Sequence, residues 1–276
     1  MGRFAVGLEY DGARFAGWQS QASVPTIQSV VEAALTRIAD EPVSLIGAGR
    51  TDAGVHALGQ VAHFDTRAER SPRGWVLGAN THLPAEVSVT WAQPVADHFH
   101  ARYSAEGRTY RYYICNRRAR SALAAGRATQ VHHALDHERM ALAGQALLGE
   151  HDFSAFRSAE CQARSPVRRL SALTVQREGD WVMVAVTANA FLHHMVRNIA
   201  GLLIAIGQGK APPAWSREVL ESRDRSRGAP TAAPDGLYLW RVHYPAAFDL
   251  PGEGPSRTSA MIPGLPGFGV VSLEVR

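Results

Sequence analysis

The sequence predicts an α+β protein made of two β-α-β-β-α-β halves, each of the ferredoxin-like kind. Apolar residues recur with period two in some segments and at helical spacing in others. The order of these segments, strand, helix, strand, strand, helix, strand, occurs twice along the chain. No residue-level self-similarity accompanies it, so the repeat is one of architecture. With 276 residues the chain is long enough for two such units, and a central cleft between them is the default place for a site. The expected division is 1–105, 106–247 and a Pro/Gly-rich extension over 248–276.

Residues 3–10 put Phe4, Val6, Leu8 and Tyr10 on one face, as a strand does. A Gly-rich turn over 11–19 follows. Ile27, Val30, Val31, Ala34, Leu35 and Ile38 then fall at helical spacing, and Thr26 stands where the first helical amides need an acceptor. Residues 43–46 read as a short strand. Residues 59–65 read as another, after a loop holding Gly47, Gly49 and Gly54. A helix opens at Ser71-Pro72, because proline at the first helical position loses no hydrogen bond. Residues 86–92 close the first half.

The second half starts with the aromatic strand 108–115. Residues 136–149 are helical, with Met140, Ala143 and Leu147 on one face and Gly149 as the terminator. Residues 170–176 and 181–190 form a hairpin across Arg177-Glu178-Gly179-Asp180. Residues 195–206 are an apolar helix, 216–223 a further helix and 237–243 a closing strand. The tail from Phe248 carries Pro251, Gly252, Gly254, Pro255, Pro263, Gly264, Pro266 and Gly267, and reads as a mobile extension with a small apolar end.

Composition narrows the function classes. Hydrophobic residues make up 46%, the usual globular share. No apolar run approaches the roughly 20 residues of a membrane helix. The N-terminus enters a strand without a secretory leader, so a cytoplasmic protein is expected. Cys115 and Cys161 are far apart and read as reduced structural thiols. Net charge is +4, and of 29 basic residues only Lys210 is lysine. Arginine suits phosphate and base contacts, although a GC-rich coding sequence yields the same bias.

The stretch 47–64 concentrates chemistry. Among its glycines sit Arg50, Asp52, His56 and His63. Such a loop between two strands fits a reactive site. It equally fits a turn in which Asp52 caps backbone amides. Twelve histidines raise the question of a metal. His132-His133 with His137, and His193-His194, are the best clusters, but adjacent histidines point in different directions on a strand or a helix. No His-Glu-x-x-His, cysteine cluster or Gly-rich nucleotide fingerprint is present, so neither metal nor cofactor is expected.

The loop Gly47-Ala48-Gly49-Arg50-Thr51-Asp52-Ala53-Gly54-Val55-His56 resembles the signature of the TruA family of tRNA pseudouridine synthases. Further segments match that family in order. They are Tyr10-Asp11-Gly12 through Gly17-Trp18-Gln19, Phe99–Tyr103 with Arg108-Thr109-Tyr110-Arg111-Tyr112, 189–198, and Gly236-Leu237-Tyr238-Leu239. The matches span about 3–245. Thr109 and the tail after Phe248 depart from the pattern.

The resemblance implies a pseudouridine synthase fold, with Asp52 as nucleophile on a flipped uridine, attacking C6 of the base or C1′ of the sugar. It implies Tyr110 as the ring that stacks on the uracil and helps remove the C5 proton. It implies Arg197 as the cation that keeps the carboxylate ionised against burial, and Leu237 as an aliphatic wall under the base. Arg50 would hold a phosphate or fill the gap left by the flipped nucleotide. Phe99, His100, Ala101, Arg102 and Tyr103, and Glu160, Cys161, Gln162, Ala163 and Arg164, correspond to segments that touch tRNA. The targets would be uridines 38, 39 and 40 of the anticodon stem-loop, recognised by RNA shape and backbone, and the enzyme a homodimer without membrane or metal. Two other classes compete. A tRNA-binding or chaperone module would not need Asp52 or Tyr110. A metal-dependent nuclease would need converging acids, and near Asp52 the only other is Asp65.

Overall fold

Period-two and helical stretches alternate along the chain in a computed structural model that describes residues 1–251 and 265–268. In order they are β1 (Gly2–Tyr10), α1 (Ile27–Ala39), β2 (Ile46–Gly47), β3 (His56–Thr66), α2 (Pro72–His82), β4 (Val87–Val95) and β5 (Gly107–Asn116). There follow β6 (Thr129–Val131), α3 (His137–Gln145), β7 (Gly149–Asp152), β8 (Val167–Glu178), β9 (Trp181–Ala188), α4 (Met195–Gly207), α5 (Trp215–Ser222) and β10 (Leu237–His243). The protein is therefore α+β. It divides into two units, Met1–Arg108 with the stretch returning from Tyr238, and Thr109–Leu237 with residues 265–268.

In the first unit the sheet order is β4-β1-β3-β2, antiparallel throughout, and β10 lies parallel on β3. Pairing of Phe4 with Phe64 and of Val6 with Ala62 puts the apolar face of both strands on one side. There α2 lays Trp75, fully buried, against the rings of Phe4 and Phe64, with centroids 5.6 and 5.1 Å away. Truncating such a residue to alanine costs about 3–5 kcal/mol. Both helix starts follow the sequence. Thr26 and Ser29 form a reciprocal capping box on α1, and Ser71 accepts from the Gly74 amide 3.1 Å away, with Pro72 in the first turn of α2.

The strand expected over 43–46 is reduced to Ile46–Gly47. Side chains of α1 take over the backbone groups before it. Thr36 accepts from Val43 N–H, Glu32 accepts from Leu45 N–H at 2.8 Å, and Gln28 donates to Leu45 O at 3.0 Å. Backbone already bonded to a helix has no groups left for a strand ladder.

In the second unit the order is β5-β9-β8-β7, with β6 parallel beside β5. The β8–β9 hairpin turns at Gly179 (φ +55°), and α4 is buried along most of its length. The helix expected over 136–149 stops at Gln145. Its end tightens into i→i−3 bonds from Ala146, Leu147 and Leu148. Gly149 (φ +98°) opens β7 instead of ending the helix, and pairs with Leu170 on β8. Cys115 and Cys161 are free and buried. Most of the expected mobile extension lies outside the described residues. Within them, Leu265 and Phe268 are buried, and the Phe268 ring sits 6.0 Å from that of Tyr113. Among the described residues no helix is long and apolar enough to cross a membrane.

Candidate active site

The loop carrying Arg50 and Asp52 joins β2 to β3, and it is fastened at nearly every residue. Ala48 N–H donates to Val61 O at 2.7 Å. Gln60, fully buried, donates through Nε2 to Gly49 O at 2.7 Å. Thr51 bonds the Tyr10 hydroxyl at 2.9 Å, and its carbonyl accepts Trp18 N–H at 3.0 Å. Val55 N–H closes a turn onto Asp52 O at 3.1 Å, with Gly54 at φ +79°. Asp52 is half-buried and Arg50 exposed.

The N-terminal motif supplies much of this scaffold. Gly17 has φ +93°, and a Cβ there would lie 2.7 Å from Thr51 O. At Gly12 a Cβ would lie 2.0 Å from Val55 O, and its amide donates to His56 Nδ1 at 3.0 Å. The His56 ring in turn stacks on Tyr238, 4.6 Å away. The glycines of Tyr10-Asp11-Gly12 and Gly17-Trp18-Gln19 thus allow backbone to press directly on the Asp52 loop.

Residues 99–103 form a turn in the first unit with two buried anchors. Phe99 packs against Tyr244 and Phe248, with centroids 5.3 and 5.0 Å away. Ala101 donates its N–H to His63 Nδ1 at 3.1 Å and accepts from the Tyr244 hydroxyl at 2.6 Å. His100 is half-buried and caps the amides of Arg102 and Tyr103 through Nδ1, 3.2 Å from each. Arg102 and Tyr103 remain exposed, the latter at 76%, with the guanidinium 5.6 Å from the ring centroid.

His63 carries a pH dependence. Burial holds its imidazole below the ordinary value, at about 4, and repulsion from His100, once that ring is protonated, and from Arg3 pushes the same way. The folded chain keeps His63 neutral, as an acceptor for Ala101. The unfolded chain takes up its proton near pH 6.5, the folded chain only near 4. This site therefore withdraws stability as pH falls from about 6.5 to about 4, and is without effect above that window. Replacing His63 with glutamine is expected to flatten that decline, read as urea midpoints at pH 7 and 4.5 for both proteins. Equal declines would show that another group titrates.

The other candidates lie in the second unit. Tyr110 is buried on β5, and its ring meets Phe191 edge to face at 5.0 Å and 83°. Leu237 is buried at the start of β10. Before it, Gly236 lets the chain close on β5, where a Cβ would sit 2.5 Å from Tyr113 O. Arg197 is half-buried in the first turn of α4, and its Nε donates to Ala232 O at 2.9 Å. His194 precedes that helix at φ +63°, with the His193 ring 4.0 Å from its own. In 160–164, Glu160, Gln162 and Arg164 are exposed, Ala163 is half-buried, and Cys161 is buried beneath His193, whose N–H points at Sγ from 3.4 Å.

Two residues without a role in the sequence reading matter here. Arg108 is buried, and its Nη2 donates to Ala48 O at 2.9 Å and Arg102 O at 2.8 Å, tying the Asp52 loop to the exposed turn. Its place in the alternation with Tyr110 and Tyr112 was the available signal. Phe191 braces Tyr110; it lies in the matched stretch 189–198, but nothing in its local pattern gives it that task.

The family model described as tRNA pseudouridine synthase matches residues 8–104 and 143–245. The chain is 57% identical over 249 residues to a protein of Nitrosococcus oceani named tRNA pseudouridine synthase A, covering 90% of this chain and 96% of that one. It is 57% identical over 248 residues to the Methylococcus capsulatus protein of the same name, covering 90% and 92%. The one from Pseudoalteromonas atlantica is 53% identical over 249 residues, covering 90% and 95%. A solved structure titled as an H/ACA RNP bound to a substrate RNA containing 2′-deoxyuridine superposes with a TM-score of 0.38 at 12% identity, over 74% of this chain and 44% of that one.

Proposed function

The chain belongs to the tRNA pseudouridine synthase family, and from that membership we propose that it converts uridine to pseudouridine at positions 38, 39 and 40 of the tRNA anticodon stem-loop, with Asp52 as nucleophile. An isomerase of this class breaks the N1–C1′ bond, turns the base and rejoins it through C5, so no atom is gained or lost. The observation that carries the reading is the fastened loop. Thr51, Gly49 and Val55 are each bonded on either side of Asp52, which fixes the backbone beneath that carboxylate. A nucleophile held in advance loses little entropy on reaction.

The remaining roles follow. Arg197 supplies the positive charge that keeps the carboxylate ionised in a site closed to water. Tyr110, braced by Phe191, stacks on the uracil and takes part in removing the C5 proton. Leu237 lies under the base. Arg50 holds a phosphate or the space of the flipped nucleotide. The segments 99–103 and 160–164 contact tRNA. Within them the exposed Arg102, Tyr103, Glu160, Gln162 and Arg164 meet the RNA, and the buried Phe99, Ala101 and Cys161 hold the backbone. The same reading makes the protein a cytoplasmic homodimer of subunits with two ferredoxin-like halves. Support for the halves is the order β4-β1-β3-β2, antiparallel throughout, with helices after β1 and β3.

The test is to incubate the protein, in EDTA, with tRNA transcripts bearing uridine at 38, 39 or 40 and to map the products by carbodiimide reaction and primer extension. Stops at those positions are the expected result. Stops elsewhere would move the target, and strand cleavage that EDTA abolishes would point to a metal nuclease. Arg102→Ala is expected to weaken tRNA binding, and to lower the slope of log affinity against log salt by about one, because one phosphate contact is lost. An unchanged slope would remove Arg102 from the interface.

A further inference from the structure

Arg197 stands in the first turn of α4, yet the helix alone does not set its direction. A strap over 228–233 runs across α4 on its way to β10. At Gly201 the strap presses directly on the helix, since a Cβ there would lie 2.1 Å from Pro230 O. One turn earlier Ala232 grips Arg197 twice. Its N–H donates to Arg197 O at 3.1 Å, and its carbonyl accepts from Arg197 Nε at 2.9 Å. The heading of the guanidinium therefore depends on where the strap lies.

The strap is held in turn by a closed hydrogen-bond network. Thr231 Oγ1 donates to Asn198 Oδ1 at 2.7 Å. Arg225 Nη2 donates to Asn198 Oδ1 and Thr231 Oγ1, each at 3.0 Å. Asn198 is 3% exposed, and its Nδ2 donates to Phe156 O at 2.8 Å. That bond fixes the amide, so Oδ1 must face the strap. Arg225, Asn198 and Thr231 also line an open cavity of about 510 Å³. The network faces that cavity, so losing one of its bonds admits water and motion.

We propose that Arg225 and Thr231 are positioning residues for the isomerisation, fixing the strap that aims Arg197. This rests on Arg197 being the cation of the reaction. A site out of place by a fraction of an ångström loses rate before it loses fold.

The test uses release of tritium from tRNA carrying [5-³H]uridine, with kcat and KM determined separately. Thr231→Val keeps the shape and removes the hydroxyl; Thr231→Ser keeps the hydroxyl. Thr231→Val and Arg225→Gln are expected to lower kcat about tenfold while KM for tRNA moves less than about twofold. Thr231→Ser should recover most of that rate. Once Arg197 is replaced with lysine, neither change should add a further loss, because residues acting through one group are not additive. Wild-type kcat in Thr231→Val, or a loss that persists in full beside Arg197→Lys, would overturn the proposal. Should Arg197→Lys itself keep wild-type kcat, the fault lies in the role given to Arg197. Should Arg225→Gln fail to fold, the two threonine variants decide alone.

Discussion

Asparagine at position 52 is expected to cut tritium release from tRNA carrying [5-³H]uridine by at least about a thousandfold, while tRNA binding persists. The amide has nearly the carboxylate's shape but is no nucleophile. The bonds of Thr51 to Tyr10 and of Gly49 to Gln60 hold the loop at residues this change does not touch. Formation of pseudouridine exchanges the hydrogen on C5, whereas binding or strand cleavage does not. Tritium release at the wild-type rate from Asp52→Asn would remove that carboxylate from the chemistry. Binding without release by both proteins would leave a tRNA-binding module.

Gly17→Ala is expected to lower turnover steeply although it changes no reacting group. The left-handed backbone there costs a non-glycine residue about 1–2 kcal/mol. The new Cβ would also meet Thr51 O at 2.7 Å and Ala53 N at 3.1 Å, on both sides of Asp52. Backbone cannot swing aside as a side chain does, so the loop must shift. A displacement of about 1 Å costs roughly a hundredfold in rate. Gly179→Ala separates strain from displacement. Its φ is +55°, but a Cβ there meets nothing within 4 Å. It should lower the melting temperature and leave kcat as in wild type. If Gly17→Ala behaves the same way, the N-terminal motif does not hold the loop.

Much of the architecture was legible because it is local. The period-two run ending at Tyr10 and the Thr26 cap each declare an element within a few residues. The strand over 43–46 failed because Thr36, Glu32 and Gln28 of the preceding helix claim its backbone, and periodicity within the segment does not register that competition. The Asp52 loop stood out in sequence, since glycines, an acid and an arginine seldom crowd so closely without cause. What Gly12 and Gly17 do for it did not, because their purpose lies in a backbone contact across the fold. Arg225 and Thr231 were silent for the same reason. Their partner Asn198 is some thirty residues away, and an arginine in a loop looks like any solvated one.

The ring of Phe268 on Tyr113 couples chain length to the inside of the second unit. Tyr113 lies on β5, and burial holds its hydroxyl above its ordinary pKa. Part of its cover comes from a residue beyond the span the family model matches. A chain shortened to end at residue 251 would uncover an aromatic side chain on the strand that also carries Tyr110. Trimming the terminus and repacking that strand are therefore one engineering decision, and a shorter variant calls for a smaller or more polar side chain at position 113.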